Sequence, residues 1–255
     1  MITITETQLM AWLSPVLWPF LRVLAVFTAA PIFSSRAFPV RARIALALLV
    51  AVAAQASLPA QPVIRLDGAQ AWGVAAQQVL VGLAIGFAVR LVFSAFELAG
   101  EVVGFQMGLN FAAFFDPAMG SQASATSRFF SYMASWMFVA LNGHLLVLMA
   151  VVRSFEAFAL DQSLLQALSL MKLYSLGAEL FASALWIALP MVGMLMFINL
   201  ALGIVSRVAP QMNIFVLGFP ITLSVGLIGM MATLPMLAHP FESLLERSIE
   251  IFAGN

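Results

Sequence analysis

Apolar residues run along this chain in blocks of membrane-crossing length. A spanning helix needs about 20 consecutive apolar residues. The charge-free runs Ile44–Ile64, Gly68–Val89, Phe129–Val152, Leu180–Ser206 and Val208–Ala238 all reach that length. The stretch 7–35 carries a single charge, Arg22. Counting of apolar residues predicts blocks at about 7–35, 44–64, 68–104, 129–152, 180–206 and 208–238, with a weaker one from Val102 to Phe115. Pro15, Pro19, Pro31, Pro190, Pro220 and Pro235 lie inside these blocks or at their edges. Proline removes a backbone donor and crowds the preceding turn, so kinked and broken helices are expected, with freed carbonyls met by neighbouring elements.

Two shorter segments are amphipathic. Over 240–252, Phe241, Leu244, Leu245, Ile249 and Phe252 share one helical face while Glu242, Glu246 and Glu250 share another. Three destinations fit that helix: the membrane surface, a partner helix or solvent. Between Asp161 and Leu173, Leu164, Leu165, Leu168 and Met171 recur at helical spacing, which reads as a helical hairpin connection. Arg36, Arg41 and Arg43 cluster with no acid near them, and the positive-inside rule places that loop in the cytoplasm.

Composition sharpens the class. The chain of 255 residues is 63% hydrophobic and 9% charged. A typical soluble domain is about 45–50% apolar and about 25% charged. Eleven basic residues balance eleven acidic ones without forming a basic patch, so nucleic acid is not an expected partner. The absence of cysteine excludes disulfides, thiol catalysis and zinc–thiolate sites. Two histidines and no nucleophile–base constellation point to a protein that is not an enzyme and needs no cofactor or metal. The first charged residue is Glu6 and the first basic one Arg22, so a cleavable signal peptide lacks its positive region. The expected fold is an all-α membrane protein of kinked and broken helical hairpins.

The chemistry concentrates in three places. Arg90, Glu97 and Glu101, spaced by seven and four residues, fall on one helical stripe. Alone in lipid each charge costs roughly 2.5–3.5 kcal/mol, so a buried charge network is expected. That network is either an ion path or intersubunit contact, or a local ion pair near a helix end. Gly100, Gly104 and Gly108 repeat every four residues beside it, a spacing that permits close helix packing in membranes. Gly82 and Gly86 make the same pattern. Next, Phe111, Phe114 and Phe115 precede Asp116-Pro117, Met119 and Gly120 in a loop that either closes a pore by excluding water or forms a buried reentrant turn. Finally, Arg207, Pro210, Gln211 and Asn213 interrupt two apolar blocks as a polar hairpin tip, continuing through Phe215, Gly218 and Pro220.

The segments from Glu97 to Pro117 and from Arg207 to Pro220 resemble the FliR family, a membrane component of the flagellar type III protein export gate. The likeness spans nearly the whole chain and includes the turn from Pro31 to Arg43 and the Asn142-Gly-His144 site followed by Ser154-Phe155. The family often has Asp where Asn142 stands. Injectisome relatives typically continue into a Pro-Leu-Lys-Ser run, whereas Ile221-Thr222 follows Pro220 here, so the flagellar branch fits better.

The resemblance implies a subunit that joins FliP-like and FliQ-like partners in a funnel-like helical complex, wrapped by an FlhB-like subunit. That complex sits in the bacterial inner membrane, in contact with lipid and partly protruding toward the periplasm. Unfolded flagellar proteins would pass through it. It further implies a pore plug within 106–122, from Gly108 through Gly120. A small-molecule secondary transporter is the competing class; it would show inverted-repeat symmetry between its halves, and none stands out.

Overall fold

The computed structural model describes residues 6–58, 62, 64, 68–111, 123–160, 162, 166–167, 173–211 and 213–253. Every regular element among them is helical: α1 (Glu6–Ala29), α2 (Val40–Ala54), α3 (Ala69–Met107), α4 (Ala125–Ala140), α5 (Gly143–Ala157), α6 (Leu173–Val208), α7 (Ile214–Thr233) and α8 (Ala238–Glu250). Short 3₁₀ turns cover Leu109–Phe111 and Leu234–Leu237. Among the described residues four segments have the length and apolarity of membrane spans, Trp12–Ala29, Gln70–Met107, Tyr174–Val208 and Val216–Glu250, and the pair α4–α5, bent by 69°, makes a fifth if it counts as one broken span. This is an all-α membrane protein.

Three charge-free runs are not single helices; one of them, 208–238, holds the end of α6, all of α7 and a 3₁₀ turn. The run 44–64 holds α2, which begins earlier, at Val40, and stops at Ala54. Beyond it the sequence continues through Gln55, Ser57, Pro59, Gln61 and Pro62, uncharged residues that include polar side chains and two prolines unable to continue a helix. The run 129–152 is divided between α4 and α5 at Leu141–Asn142. Asn142 sits at φ 55°, a left-handed conformation that asparagine tolerates and a helix interior does not. Conversely, Pro15 and Pro19 lie within α1, Pro190 within α6 and Pro220 within α7, each inside one assigned helix.

The chain forms two compact units. The first contains Met1–Leu91, Asn142–Leu176 and Leu245–Asn255. Here α1 and the first half of α3 run parallel, close enough that the contact positions Gly82 and Gly86 have no room for a side chain. A Cβ added to Gly86 would lie 2.9 Å from the Val26 carbonyl oxygen, and one on Gly82 2.7 Å from the Ala25 Cβ. Trp18, Ile64, Ala71, Val74 and Leu160 form a buried cluster beside this contact. The Trp18 indole donates to Ser14 Oγ at 2.9 Å, so the ring is buried without an orphaned donor.

The second unit contains Val92–Leu141 and Gly177–Leu244. The second half of α3 pairs antiparallel with α4, Phe93 meeting Phe138 at one end (5.8 Å between centroids) and Gly104 meeting Thr126 at the other. In this unit α6 and α7 form a hairpin whose register runs from Gly218 against Leu202 to Gly229 against Met191 and Met194.

The amphipathic C-terminal segment is packed by its own chain. Phe241, Leu244, Leu245, Ile249 and Phe252 are all buried, while Glu242, Glu246 and Glu250 are exposed. Phe241 meets Phe93 and Phe96 within the second unit, with centroids 6.1 and 5.5 Å away. Phe252 meets Phe158 within the first, at 6.3 Å.

Candidate functional site

Two polar centres stand out in this apolar protein, one in each unit. The first is Arg22, in the middle of α1 and fully buried. Its guanidinium makes three divergent hydrogen bonds of 2.8 Å: Nε to Gln78 Oε1, Nη1 to Ser154 Oγ and Nη2 to the Phe158 carbonyl. The same group stacks on the Phe155 ring, 3.6 Å from its centroid. All three of these acceptors are neutral. The network continues from Gln78 Nε2 to Gln77 Oε1 at 3.3 Å, and from Gln77 Nε2 to the Ala159 carbonyl at 3.0 Å. A planar fork of donors is the only side chain able to satisfy acceptors from α3, α5 and the segment after α5 at once.

Sequence reasoning passed over Arg22 as an isolated charge. A cation in mid-span, the buried pair Gln77–Gln78 in a second span and Ser154 in a third were the available signals. No periodicity links them, because the partners lie 56, 132 and 136 residues away.

The second centre is Glu101, near the end of α3. Its Oε2 accepts from Asn110 Nδ2 and its Oε1 from the Ser124 backbone N–H, both at 3.0 Å. Asn110 follows the end of α3 and Ser124 is the N-cap of α4, accepting from the Ser127 N–H at 3.1 Å. The Ser124 and Thr126 hydroxyls are 3.0 Å apart. One turn earlier, Glu97 Oε1 accepts from the Ser131 hydroxyl at 2.8 Å, and the Glu97 carbonyl accepts from Ser127 Oγ at 3.1 Å.

Two small residues make this geometry reachable. A Cβ on Gly100 would lie 2.7 Å from Ser127 Cα and 2.8 Å from the Thr126 oxygen; one on Gly104 would run into the Thr126 hydroxyl. Gly108, at φ 82°, ends α3 in the left-handed conformation typical of the residue after a helix. The Met107 carbonyl, freed by that ending, accepts from Thr222 Oγ1 of α7 at 3.2 Å.

Among the described residues, Arg90, Glu97 and Glu101 do not form the expected buried charge network with one another. Arg90 and Glu97 are exposed and Glu101 is half-buried. The physical reason is that the carboxylates find neutral donors on α4 and its approach, a serine hydroxyl, an amide and a backbone N–H, in place of Arg90. The hairpin residues Arg207, Pro210, Gln211 and Asn213 are exposed around the turn between α6 and α7. Gly218 is buried against Leu202 and Pro220 is exposed. Phe215 lies in the first turn of α7 and Phe111 in the turn after α3, with side chains outside the described set. Phe114, Phe115, Asp116, Pro117, Met119 and Gly120 lie outside the described residues, as do Leu164, Leu165, Leu168 and Met171.

Comparison with known proteins gives a consistent result. The family of bacterial export proteins, family 1, matches residues 13–248. The chain is 38% identical to the flagellar biosynthetic protein FliR of Escherichia coli K12, over 99% of this chain and 97% of that protein. It is 36% identical to the FliR of Pectobacterium carotovorum over the same shares. Against the FliR of Bacillus subtilis the identity is 29%, over 91% of this chain and 90% of that one.

Proposed function

Since the chain belongs to the bacterial export proteins, family 1, we propose that it is a subunit of the flagellar protein export apparatus in the inner membrane. The observation that carries this reading is the length of the likeness: 97% of the E. coli FliR is aligned, so almost none of that protein is left to a separate activity. In this reading the chain joins FliP-like and FliQ-like subunits to form the pore for unfolded flagellar proteins. An FlhB-like subunit contacts the complex, part of which protrudes to the periplasmic side.

The helices support an assembled role. Only 22% of an apolar 18-residue stretch within Tyr174–Val208 is buried by the chain itself, and 28% of such a stretch within Val216–Glu250. Phe181, Trp186, Phe197, Leu200, Ile228 and Met231 are all more than half exposed. At 1.5 Å per residue α3 is about 58 Å long, nearly twice the roughly 30 Å hydrocarbon thickness. Lipid alone does not cover helices of that length, whereas other helical subunits do.

Two measurements test the reading. Gentle detergent extraction followed by mass spectrometry should recover the chain with FliP- and FliQ-like subunits, and the chain expressed alone should be unstable or heterogeneous. A well-behaved monomer that moves a small solute in liposomes would sink the proposal. Within the same reading, the segment from Gly108 to Gly120 is the plug, sealed by Phe111, Phe114, Phe115 and Met119. Burying an aromatic side chain is worth about 1.5–3 kcal/mol, small enough for an incoming polypeptide to displace. Deleting 108–120, or changing the three phenylalanines to serine, should leave the complex assembled but leaking ions across a planar bilayer. A deletion complex as tight as wild type would refute the plug.

A further inference from the structure

We propose that α2 and the loop before it hold an anionic phospholipid, its headgroup at Arg36 and Arg41 and an acyl chain along the stripe Ile44, Leu48 and Val52. The site uses residues of the first unit alone and would serve an export subunit or a transporter alike. Arg36 and Arg41 are exposed, and among the described residues neither donates a side-chain hydrogen bond or meets an acid. The loop between α1 and α2 is built to hold its shape. Phe33 stacks on Phe27 with centroids 4.4 Å apart and meets Phe38 edge-on at 6.2 Å. Arg43 Nε donates to the Phe33 carbonyl at 3.0 Å, which ties the first turn of α2 back to the loop. Backbone bonds from Ser34 to Ala30 and from Phe38 to Ser35 close the turns around Arg36. Two cations are thus presented on an ordered frame without a counter-ion, and they favour a headgroup of net negative charge over a zwitterionic one.

The rest of α2 supplies the apolar half. From Ile44 to Ala54 the sequence is Ala, Leu, Ile and Val alone. The helix packs on α1, with Ala47 and Ala51 buried, while Ile44, Leu48 and Val52 are exposed. At 100° per residue these three lie within about 60° of Arg41 around the helix. From Arg41 to Val52 the stripe is about 16 Å long at 1.5 Å per residue. That is close to the roughly 15 Å of one leaflet, half the hydrocarbon core. A cation at the head of an apolar stripe of leaflet length matches a phosphate at the head of a hydrocarbon chain. A partner helix fits less well. Protein interfaces are enriched in aromatic side chains and carry hydrogen bonds, whereas Ile44–Ala54 offers no ring and no polar side chain.

The chain has no cysteine, so Leu48→Cys carries a single fluorophore beside the proposed acyl chain. The full chain, with the subunits extracted beside it, is placed in phosphatidylcholine nanodiscs. These contain a fixed fraction of lipid with a nitroxide on the acyl chain, either phosphatidylglycerol or phosphatidylcholine. The same preparation lacking Leu48→Cys sets the background from cysteines of other subunits. Quenching should favour the anionic lipid by about fivefold or more, roughly the gain from one arginine at an anionic surface. Arg36→Gln combined with Arg41→Gln should bring the two quenchers level. Both side chains are exposed, so glutamine removes the charge without opening the fold. Equal quenching by the two lipids before those changes, or a preference that survives them, would overturn the site. Quenching by neither lipid would show α2 covered by protein and would overturn it as well.

Discussion

Arg22→Leu should lower the stability of the folded chain by about 3 kcal/mol or more, the largest effect expected of any single side chain here. Leucine fills part of the space but leaves Gln78 Oε1 and the Phe158 carbonyl without the donor each now has. Each buried acceptor left unmet costs about 1–3 kcal/mol. Ser154 suffers less, because its hydroxyl also donates to the Val151 carbonyl at 2.6 Å. The stacking on Phe155 is lost as well, worth about 2 kcal/mol when desolvated. Arg22→Lys separates shape from charge. A compact ammonium reaches one or two of three divergent acceptors, so lysine should be nearly as damaging despite keeping the charge. Unfolding midpoints in a graded detergent series would report both variants. A lysine variant as stable as wild type would mean that the centre needs only a cation.

The second large effect is expected at Gly100. A methyl group there would sit 2.7, 2.8 and 2.9 Å from Ser127 Cα, the Thr126 oxygen and the Ser127 nitrogen. All three are backbone atoms, so no rotamer change relieves the clash and α3 must part from α4. Overpacking of this kind typically costs 1–3 kcal/mol, and Gly100→Ala should lie near the top of that range. Parting the helices also strips the Ser124 bond from Glu101. The contrast is Gly73, Gly177, Gly193 and Gly203, where an added Cβ meets nothing within 4 Å. Alanine at these helical positions should stabilise the folded protein by about 0.5–1 kcal/mol wherever no partner subunit covers the site. Thermal unfolding of the four alanine variants beside Gly100→Ala gives the comparison; equal midpoints throughout would show that the α3–α4 contact is looser than described.

What was legible in the sequence followed periodicity. The apolar face of 240–252 could be read directly, because a hydrophobic stripe at 3.6-residue spacing must be covered by something. Its destination could not be read, since Phe93, Phe96 and Phe158 lie far away along the chain. Freedom from charge proved a poor ruler for helix length. It joined α2 to a Pro- and Gln-bearing connection, and it hid the break at Asn142, which depends on a single backbone angle. Glu101 was visible as an acid on a glycine-spaced helix. Its partners were not, because an amide, a serine N–H and a turn of threonine and serine carry no pattern that announces an acceptor. Arg22 was the reverse case: conspicuous as a residue, silent about its surroundings.

The burial of Arg22 also constrains the order in which the chain can enter the membrane. Synthesis runs from the N-terminus, so α1 reaches the bilayer before any acceptor for its guanidinium exists. Gln78 arrives 56 residues later and Ser154 132 residues later. Until then a lone arginine at mid-helix resists partition into lipid by roughly 2.5–3.5 kcal/mol on insertion scales. The first helix therefore has reason to linger at the insertion machinery, or at the lipid surface, until α3 and then α5 are made. Its final placement is a late event in biogenesis despite its early position in the chain.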